Sequence, residues 1–453
     1  MTRPQPASLD RRLGPLDAAA IVISNVIGVG IFTTPGFVAS ILPDKTAMLF
    51  VWAIGGALAL AGALAYAELA ARRPQAGGEY VYLRESFGGL AAFLSGWTSF
   101  VAGFTGAIVA GGVGVAAYLG YFVPSAGDAA PIAVWRIGPL ALTLSVRALV
   151  AIAFIAALAL IQARGVGPGR VVQNALTSLK LGALVSFVVI GLVVARPDAT
   201  AAPTSAPAVP WTSWLMALVL VMFSYAGWNA AVYVAEEIRD PARNVPRALA
   251  LGTASVVVLY LALNTLYLRV VPREELIGSI GVGEAAAARL FGSAAASVFA
   301  AVAILIILSS LTAMTTAGPR VYFAMARDGA FLPAAARVHP RYRTPAIAIL
   351  AQAAWSAVLV LSGTFEQLLT YTGFAVILFG AGRAVVVLRT SQRERCRDIS
   401  RVGLPVGTGA VLRRGLRDRR QHDRAGARRR VRGSWRHDGR CAHLLVDAIA
   451  CES

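Results

Sequence analysis

Ser24-Asn25-Val26-Ile27-Gly28-Val29-Gly30-Ile31-Phe32 and Phe223-Ser224-Tyr225-Ala226-Gly227-Trp228-Asn229 are two glycine-interrupted stretches inside otherwise apolar runs. Glycine costs roughly 1 kcal/mol relative to alanine within a helix, so each stretch marks a place where a helix gives way. In lipid, an unwound backbone persists only where protein or a cavity supplies partners for its N–H and C=O groups. Breaks at corresponding places in two successive blocks of spans predict a binding site at the bilayer midplane, built from helix ends.

The composition around these stretches is that of a polytopic membrane protein. Of 453 residues, 57% are hydrophobic and 14% charged, and the mean hydropathy is +0.66, so most of the length is solvated by lipid. The first residues are polar and carry Arg3, Arg11 and Arg12 without a cleavage pattern, so the first span is expected to be retained. Apolar runs of about 20 residues give ten spans, near 16–40, 48–70, 90–123, 147–163, 172–195, 214–235, 248–271, 294–318, 346–361 and 368–388. The third is long enough to imply tilt or projection beyond the bilayer.

Lysine and arginine in the connections set the orientation. With the N-terminus inside, 16 basic residues fall on the inner side and 7 on the outer, which predicts a multi-pass protein of the cytoplasmic membrane with a cytoplasmic N-terminus. The Ala-, Pro-, Ser- and Thr-rich segment 197–210 separates two five-span halves, about 16–195 and 214–388. Because five is odd, the second half enters from the opposite side, the topology of an inverted repeat. A broken helix opens each half.

After residue 388 the character of the chain changes. Residues 383–453 contain 18 Arg, no Lys and 7 acids, a net of +11, together with all three cysteines and three of the four histidines. The net charge of +19 is therefore concentrated there, and the remaining +8 is ordinary for a membrane protein, so no nucleic-acid partner is expected. Residues 389–453 read either as a basic tail on anionic lipid or as a GC-rich message translated out of frame in place of further spans. Composition favours the second. A single-base shift near codon 380 that restores two apolar spans would establish it.

The residues also resemble a known family. Gly28-Val29-Gly30-Ile31-Phe32, Ala65-Tyr66-Ala67-Glu68-Leu69 with Pro74, Gly77-Gly78-Glu79-Tyr80 and Tyr82, Gly227-Trp228, the run from Glu236 to Ala248, Gly318-Pro319-Arg320 and Met325-Ala326-Arg327-Asp328-Gly329 are similar in order and kind to the amino acid, polyamine and organocation transporters. The resemblance implies an all-α, LeuT-type 5+5 inverted repeat with broken first and sixth helices. It also implies amino acid movement by alternating access. Amides around Val29 and Gly30 would then take the substrate carboxylate, and carbonyls of Val26, Phe223 and Ala226 its ammonium, with Gly28, Gly227, Trp228 and Asn229 completing the site and Phe223 as a gate. A broken helix offers both kinds of group from the main chain alone. Neither break carries Asp or Glu, so neutral amino acids fit better than polyamines.

Lys180 lies inside the fifth span, where a lysine costs about 2.5–3.5 kcal/mol and therefore suggests function. By resemblance it stands where sodium-coupled relatives bind the cation, with carbonyls near Gly28 and the hydroxyls of Ser309 and Ser310 as partners. Transport would be sodium-independent, and proton coupling and exchange both remain open. Glu68 reads as a partner for an inner arginine, and 236–247 as an amphipathic inner loop broken by Pro241 and Pro246. His339 stands alone in the core region, no catalytic constellation assembles, and no phosphate loop or cofactor motif is present. The rivals to a transporter are an amino-acid-binding sensor that does not cycle and an inactive frameshifted permease.

Overall fold

The computed structural model describes residues 9–28, 30–137, 140–195, 209–279, 281–292 and 295–362. The expected tenth span and the Arg-rich tail lie outside them. The first span is two helices, α1 (Pro15–Val26) and α2 (Gly30–Ile41), bent by 42° at the break. Pro15 opens α1 at a position whose N–H is unused in any helix, and the Asp17 carboxylate accepts from Gly14 N at 2.7 Å. The long helix α3 (Lys45–Arg72) follows, capped by Asp44, which accepts from Ala47 N at 2.8 Å. It ends in an i,i+4 ion pair of Glu68 with Arg72 at 2.6 Å, the pairing expected for Glu68.

A short helix α4 (Glu79–Phe87) precedes the third span, formed by α5 (Gly89–Thr98), a π-helical turn (Ser99–Gly103) and α6 (Phe104–Leu119). Groups of neighbouring helices bond to carbonyls of this turn: Ser99 O, which accepts from Phe104 N within it, also accepts from the Tyr322 hydroxyl at 3.1 Å, and Val101 O accepts from Trp355 Nε1 at 3.1 Å. The connection onward contains an antiparallel hairpin, β1 (Ala133–Ile137) and β2 (Leu140–Leu144), with Ala133 opposite Leu144. An all-helical reading passes over it, because its alternation is short and flanked by span-length runs.

The first half closes with α7 (Val146–Ala163) and α8 (Val166–Val194). The second half opens with another interrupted helix, α9 (Trp211–Ser224) followed after a turn by α10 (Ala230–Tyr233). Then come α11 (Pro241–Val270), the short α12 (Arg273–Leu276) and α13 (Val282–Phe291), the long α14 (Ala295–Arg327) and α15 (Ala346–Ser362). Here the loop expected over 236–247 is corrected. Pro241 is the first residue of α11, where proline fits, and Pro246 lies inside the helix, forgoing one bond to the first turn without ending it.

Six described helices are long and apolar enough to cross a bilayer, or seven spans when the bent pair counts as one. Large apolar side chains such as Phe50, Leu179, Val193, Leu251 and Val258 face outward, as lipid-facing surfaces require. Charge collects at the ends. At the end carrying the N-terminal segment, Leu13 N donates to Glu237 O and Arg239 N to Leu13 O, both at 2.9 Å, which straps the chain before α1 onto the stretch after α10. Beneath the strap Arg320 grips Glu237 with two bonds of 2.7 and 3.0 Å, both side chains buried, a pairing each charge needs at that depth.

Candidate substrate and coupling site

The first break ends the α1 ladder at Ile27, whose N–H bonds Ile23 O at 2.9 Å. Carbonyls in the last turn of a helix have no partner within it, and here two of them are met by side chains. Lys180 Nζ, fully buried on α8, donates to Ile27 O at 2.7 Å and Ser24 O at 3.3 Å. Ser310 Oγ on α14 donates to the same two carbonyls at 2.7 and 2.8 Å, and lies 3.5 Å from Nζ. The amine thus sits at the carbonyl end of α1, where the helix dipole favours a cation. Ser309, expected beside Lys180, belongs to a separate hydroxyl cluster with Ser24 Oγ at 2.7 Å, and Ser24 Oγ also lies 2.6 Å from Thr177 Oγ1.

Of the residues expected to hold substrate here, Val29 lies outside the described set. Val26 O accepts from the Tyr260 hydroxyl at 3.0 Å. Gly28 leaves room, since a Cβ there would stand 3.7 Å from Ser310 Oγ. Gly30 opens α2 against Ser224, whose Oγ would be 3.0 Å from a Cβ at that glycine.

The second break spans 225–229 and satisfies itself with tight turns. Ala226 N donates to Phe223 O and Ala230 N to Gly227 O, both at 3.0 Å. Gly227 sits at φ +104°, and a Cβ there would come within 2.8 Å of Asn25 O and Nδ2. Only glycine meets both conditions. The breaks touch at this point, where Asn25 Nδ2 donates to Gly227 O at 3.3 Å while the buried Asn25 Oδ1 has no partner among the described residues. Tyr260 joins them again, its hydroxyl lying 3.0 Å from Val26 O and 3.2 Å from Ser224 O.

The side chains around the second break are placed as follows. Phe223 is 44% exposed on α9. Tyr225 is fully buried against Trp52 and Tyr260, a packing position. Trp228 meets Tyr66 edge-on with ring centroids 4.9 Å apart. Asn229, expected to complete the substrate site, donates to the buried carboxylate of Glu79 on α4 and to the Tyr233 hydroxyl at 3.0 Å. Asn25 and Glu79 both escaped the reading of the breaks. Asn25 lies within the first break, and a polar amide so deep in an apolar run was the available signal; Glu79, within the Gly77-Gly78-Glu79-Tyr80 motif, is brought to Asn229 from 150 residues away, a meeting the motif does not announce. A small recess elsewhere is lined by Asp17, Gln162, Arg170, Gln173, Asn174 and Arg320 among others.

Known proteins bear on this arrangement. The amino acid permease family matches residues 13–411. The serine/threonine exchanger SteT of Bacillus subtilis (strain 168) is 30% identical over 398 residues, covering 86% of this chain and 86% of its own. The b(0,+)-type amino acid transporter 1 of Mus musculus is 29% identical over 399 residues, covering 86% and 79%. The large neutral amino acids transporter small subunit 2 of Homo sapiens is 28% identical over 385 residues, covering 82% and 68%. Among solved structures, a nucleobase-cation-symport-1 family transporter in a closed conformation with bromovinylhydantoin bound is similar at a TM-score of 0.52 and 16% identity, over 88% of this chain and 84% of its own. That likeness is one of fold, and it agrees with the all-α, LeuT-type architecture. With two interrupted helices meeting inside a bundle of apolar spans, this chain is a multi-pass membrane protein and belongs to the amino acid permease family, a family of transporters and not of enzymes.

Proposed function

We propose that this permease carries neutral amino acids across the cytoplasmic membrane by alternating access without sodium, by exchange or with protons. Its N-terminus is cytoplasmic in this reading, and residues 16–388 form the transporter core. The observation that carries it is the Lys180 amine on the carbonyls of Ser24 and Ile27, a side-chain donor where a bound cation would otherwise complete the broken end of α1. The substrate carboxylate meets amides around Val29 and Gly30. Its ammonium meets the carbonyl of Ala226 and Asn25 Oδ1, which has no partner among the described residues, Val26 O and Phe223 O being already engaged. No side chain of opposite charge is required, which suits a zwitterion. The serine/threonine exchanger among the relatives supports exchange of small neutral substrates.

Proteoliposomes filled with unlabelled L-serine and exposed to labelled L-serine test this. Saturable uptake, stimulated by internal substrate and indifferent to replacing sodium with choline, is the expected result; a strict sodium requirement overturns it. Saturable binding without flux would favour a sensor. Lys180→Ala should cut uptake at least about 100-fold, the scale of about 2.7 kcal/mol in a transport barrier, while the protein still inserts. Unimpaired uptake by a well-inserted Lys180→Ala protein removes this residue from the mechanism. For 389–453, which stand where two further spans are expected, the encoding DNA decides between tail and frameshift.

A further inference from the structure

Between α3 and α4 the chain turns through Gly77 and Gly78, at φ +105° and +48°. A Cβ at Gly77 would lie 2.5 Å from the Ala324 methyl, and one at Gly78 2.8 Å from the Tyr233 ring and Val232. Glycine therefore lets this elbow press onto α10 and α14, and Gly77 N donates to Tyr233 O at 3.2 Å. The elbow delivers Glu79, the first residue of α4, to the far side of the second break, buried and at the helix end that favours an anion.

There, Asn229 Nδ2 and the Tyr233 hydroxyl both donate to Glu79 Oε1, the latter at 2.8 Å. Asn229 and Tyr233 are one turn apart and also bonded to each other at 3.0 Å. Trp228 is held from the same side, through Tyr66 and then Tyr82 of α4, with centroids 4.9 and 5.8 Å apart. The last two residues of the break are thus gripped by α4, one through rings and one through a carboxylate. Hydrogen bonds to an ionised group are about twice as strong as neutral ones. An acceptor-only group thus occupies the Asn229 Nδ2 donor, which is then engaged within the protein and not by a bound substrate.

We propose that Glu79 is a positioning residue for the substrate-binding break, acting through Asn229 and Tyr233 without touching the substrate. This rests on reading 225–229 as half of the substrate site. The test uses the full-length chain and a uniformly labelled mixture of the common amino acids, and reads half-saturation in two ways: by uptake into proteoliposomes and by the rise in unfolding temperature in detergent. Glu79→Ala should raise half-saturation about tenfold in both, as loss of a charge-assisted bond implies, with maximal uptake reduced less. Glu79→Gln, which keeps an acceptor, should stay within about threefold of wild type.

Asn229→Asp sets two buried carboxylates together and should weaken binding as Glu79→Ala does. The exchanged pair Glu79→Gln with Asn229→Asp should recover to within about threefold, because carboxylate and amide have only traded places. Unchanged half-saturation in Glu79→Ala, or an exchanged pair no better than Asn229→Asp alone, overturns the proposal. If Glu79→Ala fails to insert, the exchanged pair decides. A wild type that binds without flux would defeat the transport reading while the thermal measurement still reports on Glu79.

Discussion

The two breaks are kept unwound by different means. In the first, the stranded carbonyls of Ser24 and Ile27 are satisfied by imported side chains, Lys180 from α8 and Ser310 from α14. In the second, the chain bonds to itself through turns and relies on the left-handed Gly227. The first break is thus held by side chains from other helices, and the second chiefly by its own turns, with its last two residues held from α4.

The comparison is broken most directly by adding one methyl group to each. Gly227→Ala forces an L residue into φ +104° and drives its Cβ to 2.8 Å from Asn25, a loss on the order of 3 kcal/mol from strain and overlap together. Gly28→Ala meets only Ser310 Oγ at an ordinary 3.7 Å and should change stability by less than about 0.5 kcal/mol. Unfolding temperature in detergent measures both. Equal losses would show that the first break is as conformationally specified as the second.

A smaller effect sharpens the comparison where the breaks join. Tyr260→Phe removes the hydroxyl shared by Val26 O and Ser224 O and should cost about 1 kcal/mol, the net worth of one buried hydrogen bond. Because that hydroxyl ties one break to the other, uptake should fall by more than the stability change alone would produce. Equal proportional changes in folded protein and uptake would reduce Tyr260 to a packing residue.

What could be read from the chain follows from what lipid makes expensive. Paired glycines and a lysine inside apolar runs stand out because each carries a cost there that packing does not remove, so both breaks and Lys180 were visible. Ser310 and Ser309 could not be separated, since neighbours on a helix point about 100° apart and only the packing of α14 decides which faces the amine. The π-helical turn at Ser99–Gly103 costs little and leaves the apolar run unchanged. Pro246 looked like a breaker because the start of α11 could not be placed until Asp240 was seen in the left-handed region directly before it. Glu79 depends on two glycines folding α4 back under a helix 150 residues away, a meeting that local pattern does not encode.

The smallest expected effect concerns the strap that ties the segment before α1 to the stretch after α10, and so links the two breaks at one end. Asp10 anchors this segment to Arg343 at 3.1 Å, and the Arg343 guanidinium, helped by Arg12, holds the Asp10 carboxyl below its ordinary value of 3.8. A carboxyl more acidic in the folded state stabilises that state fully above its unfolded value and loses the contribution as pH falls through the folded one. The pair is exposed to water, so Asp10→Asn should cost less than about 1 kcal/mol near neutral pH. The gap in unfolding temperature between wild type and Asp10→Asn should close as the pH drops below 3.8 and shrink in high salt. No gap between the two proteins near neutral pH would mean that the strap is held by its main-chain bonds to Glu237 and Arg239 alone, leaving Asp10 with no part in joining the breaks.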